Sequence, residues 1–244
     1  MPMPDWTQDF DRDGCAVVPD VLNSDEVDDL IKAVGRALSG PTTLKKNDSA
    51  YGMRDLLARV PEVAALARSA PMLALVAPVL GPAAVVVRGL WFDKSPGANW
   101  DLPWHRDLTI AVRERIETPG FRAWTIKAGI HHVLPPLEVL RGMMTVRLHL
   151  DDVDEENGPL EVLPGSHLAD EEALDAIDEW RRRVAPKVCL VSRGGAVLMR
   201  PLLLHASGSA KVPGHRRTIH LEYAAGPLPG GLQWQTDQVE ERSP

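Results

Sequence analysis

From residue 83 to residue 225 the chain breaks into short runs of β-branched and aromatic residues, most of them closed by Gly, Pro or Asn. That punctuation predicts many short strands joined by turns. Residues 83–92 form the first run. Residues 144–150 alternate: Met144, Val146, Leu148 and Leu150 share one face, and Thr145, Arg147 and His149 share the other. This predicts a half-buried strand. Residues 160–163, 188–191, 196–199 and 218–223 read as further strands, with Asn157-Gly158 as a turn.

Upstream the pattern changes. Val27, Leu30, Ile31, Val34 and Leu38 recur at helical spacing, Asn23 or Ser24 can cap the start, and Gly40-Pro41 stops the run. Residues 54–80 carry more helix, broken at Pro71 and ended by Gly81-Pro82. Residues 170–183 read as a surface helix with basic residues in its last turn. Residues 113–142 hold Trp124 and His131-His132 and read as a long insertion, the kind of segment that often binds something. The expectation is an α+β chain, with N-terminal helices packed on a double-sheet jelly roll. It divides residues 1–244 as a single domain: 1–82 mainly helical, 83–225 the jelly-roll core with the 113–142 insertion, and 226–244 a C-terminal tail.

Composition removes several function classes. The net charge is −7 without a basic patch, so no nucleic-acid partner is expected. No apolar run approaches the roughly 20 residues that cross a bilayer, so no membrane partner is expected. Cys15 and Cys189 lie far apart in a chain with no CxxC, which argues against a thiolate metal site and fits a cytoplasmic protein.

The sharpest local feature is Trp104-His105-Arg106-Asp107. A histidine and an aspartate two apart at a strand end can take adjacent positions on one metal, and a distant histidine would complete a 2-His-1-carboxylate face with positions open for O2. The tripeptide alone is weak, because a surface ion pair or a cap explains most such cases. His205 ends the apolar run Leu202-Leu203-Leu204, and its bland reading is a strand-end histidine on a backbone carbonyl. Arg216 follows eleven positions later, after a turn containing Pro213-Gly214. Its planar fork suits a dicarboxylate tail, and the Ser207 hydroxyl can assist.

These pieces belong to a larger pattern. Phe10-x-x-Asp13-Gly14-x-x-Val17-Val18, Phe92-Asp93-Lys94, His105-x-Asp107, the stretch from Leu150-Asp151-Asp152 to Asn157-Gly158-Pro159-Leu160, Leu163-Pro164-Gly165-Ser166-His167, Gly194-Gly195, His205-x-Ser207 and Arg216 occur in that order. Over nearly its whole length the chain resembles the phytanoyl-CoA dioxygenase family of Fe(II)- and 2-oxoglutarate-dependent oxygenases. The resemblance implies a double-stranded β-helix, the cupin-like jelly roll. It implies Fe(II) on His105, Asp107 and His205, with 2-oxoglutarate as cosubstrate and O2 as oxidant. It implies that Arg216 and Ser207 bind the cosubstrate's distal carboxylate, and that Arg147 and Leu90 lie beside it. The implied reaction hydroxylates an unactivated C–H bond of a small molecule and releases succinate and CO2. Halogenating relatives lack the carboxylate that Asp107 supplies. Arg106 departs from the uncharged polar residue common in the family, Gly208-Ser209-Ala210 lacks a frequent asparagine, and Gly194-Gly195 replaces Gly-Asp.

The remaining residues have competing readings. Arg217 is the alternative anchor if the strand register slips by one. Arg147 can instead pair with Asp151 or Asp152. His149, His167 and His220 read as structural, and His131-His132 as loop residues rather than a second metal site. Asp151 to Glu156 reads as a solvated turn. Trp124 is a candidate substrate-pocket wall, and Arg88, Lys94, Arg106 and Lys127 are candidate contacts to an anionic substrate. Two other functions share this fold: a cupin-type metalloenzyme needing no cosubstrate, and a non-catalytic binding module. The oligomeric state is left open.

Overall fold

The computed structural model describes residues 4–46, 48–212 and 214–236. Pro213 of the expected turn and the last eight residues of the expected tail lie outside the described residues.

The N-terminal part runs α1 (Trp6–Asp13), β1 (Cys15–Val18), α2 (Ser24–Ala37), β2 (Thr43–Lys46), β3 (Ser49–Met53), α3 (Leu56–Arg59), α4 (Pro61–Ala67) and α5 (Ala70–Leu80). Helix α2 begins where its cap chemistry dictates. The Asn23 side chain accepts from the Glu26 amide at 3.0 Å, and the Glu26 carboxylate accepts from the Asn23 amide at 2.8 Å, satisfying two end groups reciprocally. Pro71 does not break a helix. It sits in the first turn of α5, where its missing N–H costs nothing; the break falls at Arg68–Ser69.

Then follow β4 (Val85–Lys94), β5 (Leu102–His105), β6 (Ile110–Val112), β7 (Arg122–Lys127), β8 (Ile130–Leu134), α6 (Leu137–Arg141) and β9 (Met143–His149). The chain closes with β10 (Leu160–Val162), α7 (Ile177–Arg183), β11 (Lys187–Cys189), β12 (Ala196–Met199), β13 (His205–Ser207) and β14 (Arg216–Ala224). The expected 170–183 helix is thus a short 3₁₀ turn plus α7. The 113–142 insertion is ordered as well. Strands β7 and β8 join through Ala128 and Gly129, both at positive φ, as a mirror-image two-residue hairpin turn requires.

All strand pairing is antiparallel. A seven-stranded sheet runs β1-β12-β9-β14-β4-β3-β2, a four-stranded sheet β11-β10-β13-β5, and a three-stranded sheet β6-β8-β7. The large sheet has two unlike faces. Met144, Val146, Leu148, Ala196, Leu198, Ile219, Leu221 and Tyr223 point to one side and pack on α2, α4 and α5. Val197 and Met199 point to the other and meet Leu160, Val162 and Cys189 of the four-stranded sheet. The two sheets therefore enclose a second core, as in a jelly roll. Strand β9 is buried on both faces rather than half-buried, because its polar face looks between the sheets instead of into solvent. Leu228, Leu232 and Trp234 are buried in a third cluster with Ile110 and Val112, so this part of the expected tail is packed.

Candidate metal centre and adjoining anchor

The four-stranded sheet brings the two histidines together. His105, at the end of β5, pairs directly with His205 at the start of β13, and their ring centroids are 4.1 Å apart. Asp107 follows two residues later, its amide bonded to the Pro201 carbonyl at 2.9 Å. Its carboxylate lies 3.9 Å from His105 Nε2 and 3.7 Å from His205 Nε2. The three ligand atoms all lie within 4.8 Å of one another. Each histidine is oriented from behind: His105 Nδ1 meets the Pro103 carbonyl at 2.8 Å, and His205 Nδ1 meets the Leu203 carbonyl at 2.9 Å. Those bonds leave both Nε2 atoms facing the aspartate, the usual arrangement behind a metal-ligating imidazole. The buried Asp107 Oδ2 has no hydrogen-bond partner among the described residues.

The electrostatics suit the same role. Burial pushes His205 down to about 4, against the pull of Asp107, so the imidazole is neutral, the form that binds metal. Burial would raise Asp107, but His205, His220 and His105 outweigh it and hold the carboxylate below its usual range. The donor set, its convergence and its protonation fit a single divalent metal on an open 2-His-1-carboxylate face.

Beside it lies a buried cluster of cations. The β14–β4 register sets Arg216 opposite Lys94, and both side chains turn inward to Ser207. Lys94 Nζ donates to Ser207 Oγ at 2.7 Å and to the Ser207 and Gly208 carbonyls. Arg216 Nη1 donates to Ser207 Oγ at 3.2 Å and to the Gly158 carbonyl. Gly158 is at positive φ, and a Cβ there would stand 2.2 Å from the Gly208 carbonyl, so glycine is what lets the two loops close over the cradle. Burial, then Arg216 and Arg147, lower the Lys94 ammonium to about 7. Burial, then Arg147, lower Arg216 to about 9. Arg147 is fully desolvated and lowered to about 10. It is not paired with Asp151 or Asp152: Asp151 holds Arg217 in a bidentate pair, and Asp152 accepts from the Arg193 amide at 2.8 Å. Arg217 therefore spends its fork away from Ser207.

A cavity of about 470 Å³ joins the centre and the cluster, within the range of small-molecule sites. His105, Asp107, His205, Arg147, Ser207, Arg216 and Leu90 all line it. Two expectations are corrected. Trp124 is not on its wall; it packs in the third hydrophobic cluster with Arg115 over its ring. Arg106 lines the cavity, but most of its fork is taken up by backbone. It is buried, and its guanidinium donates to the carbonyls of Ser166, Leu174 and Leu202, tying loops beneath the centre. Lys94 does not line the cavity; its ammonium is held by Ser207 and the Gly208 carbonyl, beside Arg216. His167 does not line this cavity. His220 was not foreseen as a cavity residue: its Nε2 is 4.0 Å from Asp107 and 3.7 Å from Glu222. The aromatic wall is Tyr51, Phe92 and Trp100. Phe92 stood out only as the end of the first strand run and in Phe92-Asp93-Lys94, and nothing local singled out the other two.

Known proteins are similar to this chain in sequence and in fold. An ectoine dioxygenase of Sphingopyxis alaskensis is 26% identical over 181 residues, covering 67% of this chain and 52% of its own length. The chain thus spans about half of that curated relative. The structure of AviO1 from Streptomyces viridochromogenes Tue57 superposes with a TM-score of 0.69 at 25% identity, covering 94% of this chain and all of that one. EctD from S. alaskensis, solved with Fe and also with 2-oxoglutarate and 5-hydroxyectoine, superposes with a TM-score of 0.68 at 24% identity, covering 89% of this chain and 74% of EctD. The family model for phytanoyl-CoA dioxygenase matches residues 10–218, a span containing every residue of the centre and of the anchor: the chain belongs to the phytanoyl-CoA dioxygenase (PhyH) family.

Proposed function

We propose that the protein is an Fe(II)- and 2-oxoglutarate-dependent oxygenase that hydroxylates an unactivated C–H bond of a small molecule, with release of succinate and CO2. One observation carries this reading: an open His-Asp-His face and the buried Arg216 and Ser207, backed by Lys94 on the same hydroxyl, share one cavity. His105, Asp107 and His205 would hold the iron. Arg216, Lys94 and Ser207 would bind the distal carboxylate of 2-oxoglutarate, with Arg147 facing its other end and Leu90 packing on its chain. Iron, 2-oxoglutarate and O2 supply the oxidising power when bound.

The protein's own contribution is orientation. Charge-assisted hydrogen bonds in a desolvated pocket fix a carboxylate strongly. The Ser207 hydroxyl now donates to the Gly158 carbonyl at 3.2 Å and can turn to a ligand oxygen. Phe92, Trp100, Leu102 and Leu108 give the cavity apolar walls that exclude water. A cupin-type enzyme without cosubstrate has no use for this cradle. The reading extends to a cytoplasmic protein: Cys15 and Cys189 are buried and free, as a reducing compartment leaves them, and no single helix among the described residues is long and apolar enough to cross a membrane.

Succinate release from 2-oxoglutarate, dependent on both Fe(II) and O2, is the test. Iron-loaded protein is expected to show it, and Arg216→Ala to raise KM for 2-oxoglutarate on the order of 100-fold, the usual scale for truncating a buried charged contact. Absence of any Fe(II)-dependent succinate from iron-loaded protein, with or without a metabolite mixture, sinks the reading.

A further inference from the structure

We propose that the substrate carries an oxyanion, a carboxylate or a phosphate, seated between Arg54 and Lys127 at the mouth of the metal cavity. The inference rests on the oxygenase reading above and names the substrate class of that site. The chain carries a net charge of −7, yet its cavity wall is strongly cationic. Arg54, Arg88, Arg106, Lys127, Arg147 and Arg216 line it with Asp107 and Glu222, and Arg106 is tied to backbone carbonyls.

Most of these charges have an assigned partner. Arg88 is paired with Glu222 at 3.0 Å. Lys94, Arg147 and Arg216 surround the cosubstrate anchor, and Asp107 belongs to the metal. Arg54 and Lys127 remain. Neither side chain makes a hydrogen bond or salt bridge among the described residues, though both line the cavity. They come from separate parts of the chain: Arg54 just after β3, Lys127 at the tip of the β7–β8 hairpin. Burial, then Arg88, makes Arg54 less basic, and burial, then Arg54 and Arg88, does the same to Lys127. Asp107 only partly offsets this for Lys127, and like charges held together without a paired acid of their own are an unfavourable arrangement that an oxyanion relieves. A pocket of one sign with low-dielectric walls also concentrates ligands of the opposite sign.

The same cavity has an aromatic and apolar wall of Tyr51, Phe92, Trp100, Leu102 and Leu108. Trp100 lies 6.0 Å from Tyr51 and 6.2 Å from Phe92, ring centre to ring centre. The geometry therefore suits an amphipathic molecule whose anionic end meets Arg54 and Lys127 while its apolar part reaches toward the metal.

The test uses the full chain loaded anaerobically with Fe(II) and saturating 2-oxoglutarate. The metal-to-ligand charge-transfer absorption of that complex is recorded first. Benzoate, phenyl phosphate, benzamide and benzyl alcohol are then titrated by calorimetry. Benzoate or phenyl phosphate is expected to bind at least about tenfold more tightly than the two neutral probes, and to lose about tenfold in Arg54→Gln and in Lys127→Gln. The stronger of the two anions identifies the oxyanion. Lys127 is exposed on a hairpin, so its variant decides the matter alone if Arg54→Gln fails to fold. With the absorption present, equal binding of neutral and anionic probes, no binding of either anion, or an unchanged Kd in Lys127→Gln overturns this inference and leaves the oxygenase reading standing. Absence of the absorption overturns both.

Discussion

The two faces of the seven-stranded sheet are made by the same strands and serve opposite ends. On the outer face, Met144, Val146, Leu148, Leu198, Ile219 and Leu221 are wholly buried against helices. The Tyr223 hydroxyl on this face donates to the Ala67 carbonyl at 2.8 Å. On the inner face, one residue along each strand, stand Arg147, His149, Arg216, Thr218 and His220, all buried as well. Arg147 Nε, Arg216 Nε, Thr218 Oγ1, His220 Nδ1 and both His149 nitrogens find no hydrogen-bond partner among the described residues. Each such group costs about 1–3 kcal/mol. The outer face therefore packs the fold on its helices, while the inner face carries polar groups, of which Arg147, Arg216 and His220 line the cavity. A period of two lets one strand do both, because a single residue step reverses which face a side chain joins.

The sharpest way to break this contrast is to truncate one residue on each side of the division. His205→Ala is expected to remove iron binding and succinate formation below detection, while the melting temperature of the metal-free protein moves little. Leu198→Ala should do the reverse. It opens a cavity in the helix-packed core, costing about 2–5 kcal/mol in denaturant unfolding, and leaves KM for 2-oxoglutarate unchanged. If Leu198→Ala shifts that KM by more than its loss of folded protein explains, the faces are coupled and the division fails.

The architecture was legible from local signals: alternation, turn residues and caps; the ligand triad needed the family resemblance as well, because His-x-Asp alone is weak and His205 lies 98 residues beyond Asp107. The sequence could not show which polar face meets water. Thr145, Arg147 and His149 alternate with apolar residues just as a solvated face would, and only the opposing sheet makes them interior. Nor could it give Lys94 its role. Its partner Ser207 lies 113 residues away, and the β14–β4 register is what sets it beside Arg216. The backbone ties of Arg106 were hidden for the same reason, since the carbonyls are 60 to 96 residues distant. The β7–β8 hairpin carries Ala128 where Asn or Asp usually marks such a turn, so the insertion read as a loop.

A smaller effect sharpens the stability cost of the inner face. Arg147 carries a buried guanidinium with its Nε unpartnered, and burial makes it less basic. Replacing a buried charge by an apolar side chain of similar length is often stabilising. Arg147→Met should raise the stability of the metal-free protein by about 1–2 kcal/mol and weaken 2-oxoglutarate binding. A lower melting temperature in this variant would mean that the guanidinium supports the fold, and the inner face would lose its distinction from the outer.

The smallest expected effect is a slope with pH. Burial, then Arg216 and Arg147, set the Lys94 ammonium at about 7, against an ordinary 10.5. Between those values the unfolded chain keeps a proton that the folded chain releases, so this residue makes the metal-free protein more stable as pH rises through the window. A carboxylate in the cradle favours the ammonium, so 2-oxoglutarate binding takes up a proton above about pH 7. KM for 2-oxoglutarate should accordingly climb as pH rises from about 7 to about 9, by at most about tenfold per pH unit. Arg216 and Ser207 keep hold of the carboxylate throughout, which limits the total change. Lys94→Met should bind 2-oxoglutarate more weakly at neutral pH and lose the slope. Parallel KM profiles in the two proteins would remove Lys94 from the anchor and leave Arg216 and Ser207 to account for it.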